Sequence, residues 1–216
     1  MGADMIPEYA KNSKEDIPFG QYMEQYQQMN PQECAARTGI PYDEETKCFR
    51  MRMLQKEYLI SWPELNVTLA DAQDTSYAAL VQETPAKILA LRFLLHGVSS
   101  QSTGKFFTYR EVPSGEVYFR QFSGRCLARM AYGFGFKPEK LAAAFEQLGA
   151  RKLSHGDVSY ELEIINNYFV QFILWTGDEE FPPSTQMLFS DNFPLSFTPE
   201  DLAVVGDISI NTLKKI

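Results

Sequence analysis

The spacing of apolar and polar residues changes several times along the chain. Over Pro18–Met29, apolar and aromatic side chains recur every three or four residues, which predicts an amphipathic helix. Asn30-Pro31-Gln32-Glu33 resembles a helix N-terminus, and Gly39 is typical of a helix end, so a second helix is expected between them. Between Lys47 and Trp62 two short strand-like runs flank a turn at Leu54-Gln55, which predicts a hairpin.

The second half of the chain predicts one strongly apolar helix and a second hairpin. Thr84–Val98 is apolar on most sides, so its helix should form the buried centre of the fold. Helices are also expected at Tyr118–Tyr132 and Pro138–Leu148. Asp157–Ile165 alternates, with Glu161 and Glu163 on the face opposite Tyr160 and Leu162, and Tyr168–Trp175 is its more apolar partner strand.

The C-terminal segment has the pattern of short helices. Thr198 precedes Pro199, Glu200 and Asp201, so a short helix should begin there with two acids in its first turn. A last helix is expected over 211–216. Together the elements predict an α+β fold: a loosely ordered segment over residues 1–17, then a single compact domain over 18–216 in which helices pack on an antiparallel-rich sheet.

Charge and composition narrow the classes of function. The chain has 20 Lys and Arg against 28 Asp and Glu, a net charge of −8, which argues against nucleic acid and anionic membranes as partners. Its longest apolar runs are far too short to span a bilayer. The three cysteines form no CxxC pair, and the N-terminus has no secretory signal pattern. A cytoplasmic protein that binds neither nucleic acid nor membrane is therefore expected.

Five residues are candidates for a functional site. Asp178, Glu179 and Glu180 follow the second core strand, where they could hold a divalent cation or raise one another's pKa, although a solvent-exposed acidic turn is the favoured interpretation. His96 ends the apolar helix, where it either interacts with the last carbonyl groups or acts as a proton-transfer group. Glu111 could supply a further carboxylate.

Complete catalytic and metal-binding motifs are missing from the sequence. Two histidines and three scattered cysteines do not provide the ligands of a structural zinc site or an iron–sulfur cluster, so no metal site is predicted. Neither a phosphate-binding loop nor a dinucleotide fingerprint is present. Several arginines could line an anion-binding wall, although such residues are more often solvated: Arg110, Arg120, Arg125 and Arg129.

One stretch resembles a known family. The run from Trp175 to Asp191 (WTGDEEFPPSTQMLFSD), followed by Pro199–Ala203, is similar to domain of unknown function 3786, a family of uncharacterised proteins found mainly in anaerobic bacteria and archaea. The GDEEFP part is the most specific, and the resemblance extends over about residues 20–210. It implies a single compact domain without an assigned activity and a link to anaerobic metabolism. Some relatives carry an iron–sulfur segment whose cysteines this chain lacks.

Three functions remain open from the sequence. The favoured hypothesis is an accessory binding module that holds a small ligand or a protein partner in a pocket walled by aromatic side chains. The alternative is a metal-dependent enzyme that uses His96, Glu111 and the acidic run, which requires these groups to converge. A structural or assembly role would instead predict a large exposed apolar patch. The sequence leaves the ligand, the cofactor and the oligomeric state undefined.

Overall fold

One antiparallel sheet runs through the computed structural model, which describes the backbone of residues 9–216 and the side chains of residues 19–216. The nine strands are β1 (Tyr42–Asp43), β2 (Cys48–Met53), β3 (Lys56–Ser61), β4 (Val67–Leu69), β5 (Phe106–Thr108), β6 (Arg151–Lys152), β7 (Val158–Ile165), β8 (Tyr168–Trp175) and β9 (Ser184–Ser190). Their order is β4-β3-β2-β7-β8-β9-β5, with β1 beside β2 and β6 beside β7. The predicted antiparallel-rich sheet is confirmed.

Helices pack on this sheet and complete the α+β fold. They are α1 (Tyr9–Gln28), α2 (Pro31–Thr38), α3 (Ala79–Gln82), α4 (Thr84–His96), α5 (Gly115–Phe122), a π-helical segment (Ser123–Ala128), α6 (Arg129–Phe134), α7 (Pro138–Gln147), a 3-10 turn (Phe193–Leu195) and α8 (Pro199–Lys215). Helix α4 contacts α1, α2 and α8, and its apolar side chains are buried, as its composition predicts. No helix in the described part of the chain is long and apolar enough to cross a membrane.

Both predicted hairpins are present. At the β2–β3 turn, Leu54 and Gln55 have φ values of 50° and 63°. Two successive positive φ values are typical of the type I′ turn, whose twist matches that of the flanking strands. The β7–β8 hairpin turns at Asn166 and Asn167, between eight-residue strands.

The two hairpins meet at a narrow seam between β2 and β7. A single residue pair, Met53 and Ile165, is in register there. The amide of Leu54 donates to the carbonyl of Ile164 at 3.0 Å, and the amide of Arg52 donates to Oδ1 of Asn166 at 2.8 Å. Side-chain bonds therefore replace part of the missing backbone ladder.

Several helix boundaries differ from the prediction. Helix α1 begins at Tyr9 rather than at Pro18, so part of the segment predicted as loosely ordered is helical, and residues 1–8 lie outside the described residues. The predicted helix over 118–132 begins at Gly115 and changes to π-helical geometry at Ser123. The predicted start at Pro18 was nine residues too late, because the apolar spacing on which the prediction rested begins only at Phe19.

The two short C-terminal helices predicted from the sequence are one helix, α8. It runs unbroken for 17 residues because one side of it is buried along its whole length. Its N-terminus is a capping box, in which the side chain of Thr198 accepts from the amide of Asp201 and the Asp201 side chain accepts from the amide of Thr198. The predicted first-turn acid is thus confirmed, and Asp201 also pairs with Arg92 at 2.7 Å.

Candidate functional site

The acidic run forms an exposed turn at the end of β8. Oδ1 of Asp178 accepts hydrogen bonds from the amides of Glu180, at 2.9 Å, and Phe181, at 2.7 Å. These two bonds, the one from Phe181 foremost, hold the pKa of Asp178 below its usual value. Asp178, Glu179 and Glu180 are all exposed, so they remain in contact with solvent.

Glu111 closes a turn directly after β5. Its Oε2 accepts from the amide of Thr108 at 2.7 Å and from the Thr108 hydroxyl at 2.8 Å, and these bonds lower the pKa of Glu111. Strand β5 runs antiparallel to β9, from the partner of Ser190 to the partner of Leu188. It therefore points towards the edge of the sheet where β8 ends, so Glu111 lies at the same edge as the acidic turn.

His96 lies at the opposite edge of the sheet. Its helix ends beside Tyr168, which is the first residue of β8. The Tyr168 hydroxyl donates to the carbonyl of Val98, two residues after His96, at 2.7 Å. The acidic turn follows the other end of the same strand, and eight strand residues span about 24 Å. The structure therefore does not bring His96 to the carboxylates with which it was expected to converge.

His96 is the basic residue in the last turn of α4, as predicted, but the side chain that donates to the carbonyl groups there is that of Arg37. Nη2 of Arg37 donates to the carbonyl of Leu94 at 2.6 Å, and Nη1 donates to the carbonyl of Gly97. A cation thus interacts with the C-terminus of α4, as the helix dipole favours, but it comes from α2. Among the described residues, no three His, Cys, Asp or Glu side chains are grouped so that they could hold a metal ion.

An aromatic pocket of about 300 Å³ opens beside the exposed end of β8. Its volume is at the lower end of the range for small-molecule sites. It is lined by residues from β5, α5, the π-helical segment, β8 and β9: Thr108, Tyr109, Arg110, Phe119, Phe122, Leu127, Trp175, Thr185, Gln186 and Met187. We call this set the aromatic pocket.

The floor of the aromatic pocket consists of two buried, uncharged rings. The rings of Tyr109 and Phe122 stack with centroids 4.0 Å apart and an angle of 7° between their planes. The Tyr109 hydroxyl donates to the carbonyl of Pro199 at 2.8 Å. Burial raises the pKa of Tyr109 to about 12, so this phenol stays protonated near neutral pH.

The mouth of the aromatic pocket carries side chains that solvent can reach. Trp175 is 40% exposed, which is unusual for an indole outside a binding surface. The guanidinium of Arg110 lies 3.9 Å above the ring of Phe119. Its nearest carboxylate is that of Glu116, with Nε and Oε2 3.6 Å apart, which is longer than a hydrogen bond. Arg110 can therefore donate to an acceptor placed in the pocket.

A comparison with known protein families identifies the family of this chain. Residues 30–212 match the family model described as domain of unknown function (DUF3786). The protein belongs to this family. The match spans both the aromatic pocket and the acidic turn of the DUF3786 domain. Searches of curated proteins and of solved structures found no match at a significant level.

Two features of the pocket in this DUF3786 domain were only partly visible in the sequence. The sequence suggested that four arginines could form an anion-binding wall, but the structure gives them different partners. Arg110 lines the pocket, whereas Arg125 and Arg129 both pair with Asp207. Trp175 was identified only as the start of the family motif. An exposed tryptophan beside an arginine could have been recognised only if the proximity of β5 and β8 had been known.

A second cleft, of about 520 Å³, lies between α1, α4 and α8. Its charged residues are largely paired: Arg92 bonds to Asp201 at 2.7 Å, and Arg125 bonds to Asp207. A charged ligand would have to displace these partners. The aromatic pocket is therefore the better candidate site.

Proposed function

We propose that this protein is a cytoplasmic binding module for a small organic ligand that combines a flat apolar ring with a carboxylate group. The observation that carries the proposal is that two exposed residues, Trp175 and Arg110, line the same pocket as the stacked rings of Tyr109 and Phe122. The flat ring of such a ligand would cover aromatic surface that is exposed to solvent in the structure. The carboxylate would accept charge-assisted hydrogen bonds from Arg110.

The arrangement favours binding over metal-dependent catalysis. The enzyme hypothesis required His96 to converge with at least two of the carboxylates of Glu111 and the acidic turn, and His96 lies at the opposite edge of the sheet from them. Three free cysteines suit the reducing compartment that we propose for the protein. The resemblance to proteins of anaerobes supports a ligand from anaerobic metabolism.

Calorimetric titration with two matched probes tests the proposal. We expect 2-naphthoate to bind more tightly than 2-naphthamide, which has the same ring without the charge. Replacing Arg110→Gln should weaken naphthoate binding about tenfold, because a hydrogen bond to a charged group contributes about 1.5–3 kcal/mol. The same replacement should leave naphthamide binding nearly unchanged. Trp175→Ala should weaken binding of both probes.

Arg50→Gln is the matched control. Arg50 is 51% exposed and pairs with Glu57, much as Arg110 is 56% exposed and lies near Glu116, but Arg50 lies in β2, outside the pocket. This variant should bind naphthoate like the wild type. Equal loss in both arginine variants, or no loss in Arg110→Gln, would contradict the proposal.

A further inference from the structure

Two exposed phenylalanines flank the acidic turn. Phe136 and Phe181 are 63% and 67% exposed. Phe136 lies against Gly177, where a methyl group would be 2.9 Å from its Cε1 atom. The carbonyl of Phe181 accepts from the amide of Asp178 at 2.9 Å. The two phenylalanines and the three acids therefore lie around one turn, and we call this set the acidic aromatic surface: Phe136, Asp178, Glu179, Glu180 and Phe181.

The backbone under this surface is tightly packed. Pro183 lies so close to Gly135 that a Cβ atom there would be 2.1 Å from Cβ of the proline, and it also contacts Gly177. The amide of Gly177 donates to the carbonyl of Gly135 at 3.3 Å. Two segments of the chain thus hold the phenylalanines in place at the surface. A phenylalanine left in water forgoes the free energy that burial of its ring would provide, so two exposed phenylalanines on closely packed backbone indicate a surface that another molecule covers.

The charge around the rings restricts what can cover them. Asp157 lies at the same edge, where its Oδ2 accepts from the amide of Thr176 at 2.7 Å and from the Thr176 hydroxyl at 2.8 Å. Together with the acidic turn it makes four carboxylates, and the neighbouring positive charge is that of the exposed Lys137, which follows Phe136. Nucleic acid and anionic lipid would both be repelled. The same holds for a second copy, because a twofold interface would bring these carboxylates together.

We propose that the acidic aromatic surface docks a basic segment of another protein. Apolar side chains of that segment cover Phe136 and Phe181, and its lysines or arginines lie against Glu179 and Glu180. Apolar contact supplies affinity, while the opposite charges select the partner and speed its encounter. This surface lies beside the aromatic pocket but shares no residue with it, so the inference does not depend on the proposed ligand.

The chain contains a matched control for the charge alone. The sequence Asp-Glu-Glu recurs at Asp43, Glu44 and Glu45, where Oδ1 of Asp43 accepts from the amides of Glu45, at 2.8 Å, and Thr46, at 3.1 Å. The turn at Asp178 has the same two backbone bonds and the same exposed acids, whereas Glu44 also accepts from Nε2 of Gln32 at 3.2 Å. The two turns differ in their aromatic neighbours, because Tyr42, beside Asp43, is partly buried and packs against Phe49.

The test uses two dye-labelled peptides of eight residues, one alternating lysine with tryptophan or leucine and the other alternating lysine with serine. Fluorescence anisotropy at physiological salt should show at least tenfold tighter binding of the apolar basic peptide to the wild-type protein. Glu179→Gln with Glu180→Gln should weaken that binding about tenfold, and so should Phe136→Ser with Phe181→Ser. If the double phenylalanine variant folds poorly, Phe181→Ser alone should still weaken binding of the apolar basic peptide, but by less.

Glu44→Gln with Glu45→Gln should leave peptide binding unchanged. Equal weakening by both pairs of glutamine substitutions would show general charge attraction and overturn the proposal. Equal affinity of the wild type for the two peptides, an unchanged affinity in the phenylalanine variants, or self-association of the protein in sedimentation would also overturn it. Naphthoate titration of the same variants reports the pocket separately, so that failure of the ligand proposal and failure of this one can be distinguished.

Discussion

Glu163 is an acidic residue in the interior of the sheet, only 6% exposed. Its carboxylate accepts two hydrogen bonds from Arg52, at 2.8 and 2.9 Å, and one from the amide of Asn167 at 2.8 Å. Burial alone would raise the pKa of Glu163, but the bonds outweigh it and hold the pKa below its usual value. The ionised form is therefore favoured in the folded protein.

Glu163→Gln should lower the free energy of unfolding by about 1–3 kcal/mol at pH 7, since it removes a charged partner of Arg52. Because the pKa of Glu163 is depressed on folding, its stabilising effect is present above the ordinary glutamate pKa and is lost as the pH falls through the folded value. The difference in free energy of unfolding between wild type and variant should therefore become smaller below about pH 4, close to the ordinary pKa of glutamate. Urea denaturation at pH 7 and pH 3.5 measures it.

Glu57→Gln is the control for this measurement. Glu57 pairs with Arg50 at 2.8 Å, but both side chains are largely exposed. An exposed pair contributes about 0–1 kcal/mol, so the substitution should change stability little. A pH-independent gap for Glu163→Gln would contradict the assigned role of its charge.

Sequence identified single residues well where their partners are close in the chain. Asn30 accepts from the amides of Gln32 and Glu33 and so caps α2, as its position predicts. Glu163 was placed only on the face opposite the core side chains, since its partner Arg52 is 111 positions away and no local pattern shows that pairing. The same applies to Arg37, which reaches the end of α4 from 60 residues away.

At the scale of elements, α8 shows how packing extends a helix that local signals end early. Gly206 lies in its middle, and glycine weakens a helix by about 1 kcal/mol relative to alanine. A Cβ atom at this position would lie 2.5 Å from Sγ of Cys126, so glycine allows the π-helical segment to pack closely. Burial of the whole helix face then stabilises a length that propensity alone does not predict.

Thr198→Ala should lower the free energy of unfolding by about 1 kcal/mol, because it removes the side-chain oxygen that caps α8. Thr198→Ser keeps that oxygen and should stay close to the wild type. Urea denaturation of the two variants provides the comparison. If the serine variant loses as much as the alanine variant, the threonine methyl group, and not the cap, is what stabilises the helix.

The candidate site depends on elements that the sequence keeps apart. The aromatic pocket joins Arg110, after β5, to Trp175, at the end of β8, and each looks ordinary in its own segment. Periodicity predicted the strands and their partners in hairpins, but it did not predict that β5 and β8 lie on either side of β9. Pairing of distant strands is set by packing of the whole molecule, which explains why the acidic turn was found and the pocket beside it was not.

At the scale of the whole molecule, the narrow seam between β2 and β7 raises the question whether the two parts of the sheet unfold together. Only Met53 and Ile165 pair in register there, yet buried side chains from both sides of the seam belong to one continuous core. Helix α4 contributes to that core in the middle of the fold. Shared burial of this kind usually makes a domain unfold as one unit.

Two tryptophans report on the two sides of the seam. Trp62 follows β3 and Trp175 ends β8, and the chain has no others. Trp175→Phe and Trp62→Phe each leave one reporter. Urea denaturation followed by tryptophan fluorescence and by circular dichroism should give coincident transitions within each variant. Separate fluorescence and circular dichroism midpoints within one variant would show that the two parts of the sheet unfold independently.

The two outermost strands of the sheet limit how this protein can associate with other chains. The outermost strands, β4 and β5, are three residues long each. So short an edge offers few backbone groups on which another chain could add a strand, and short edges are one way in which natural proteins avoid aggregation. Strand exchange and fibril-like stacking are thereby disfavoured, and association through side chains is favoured over strand addition.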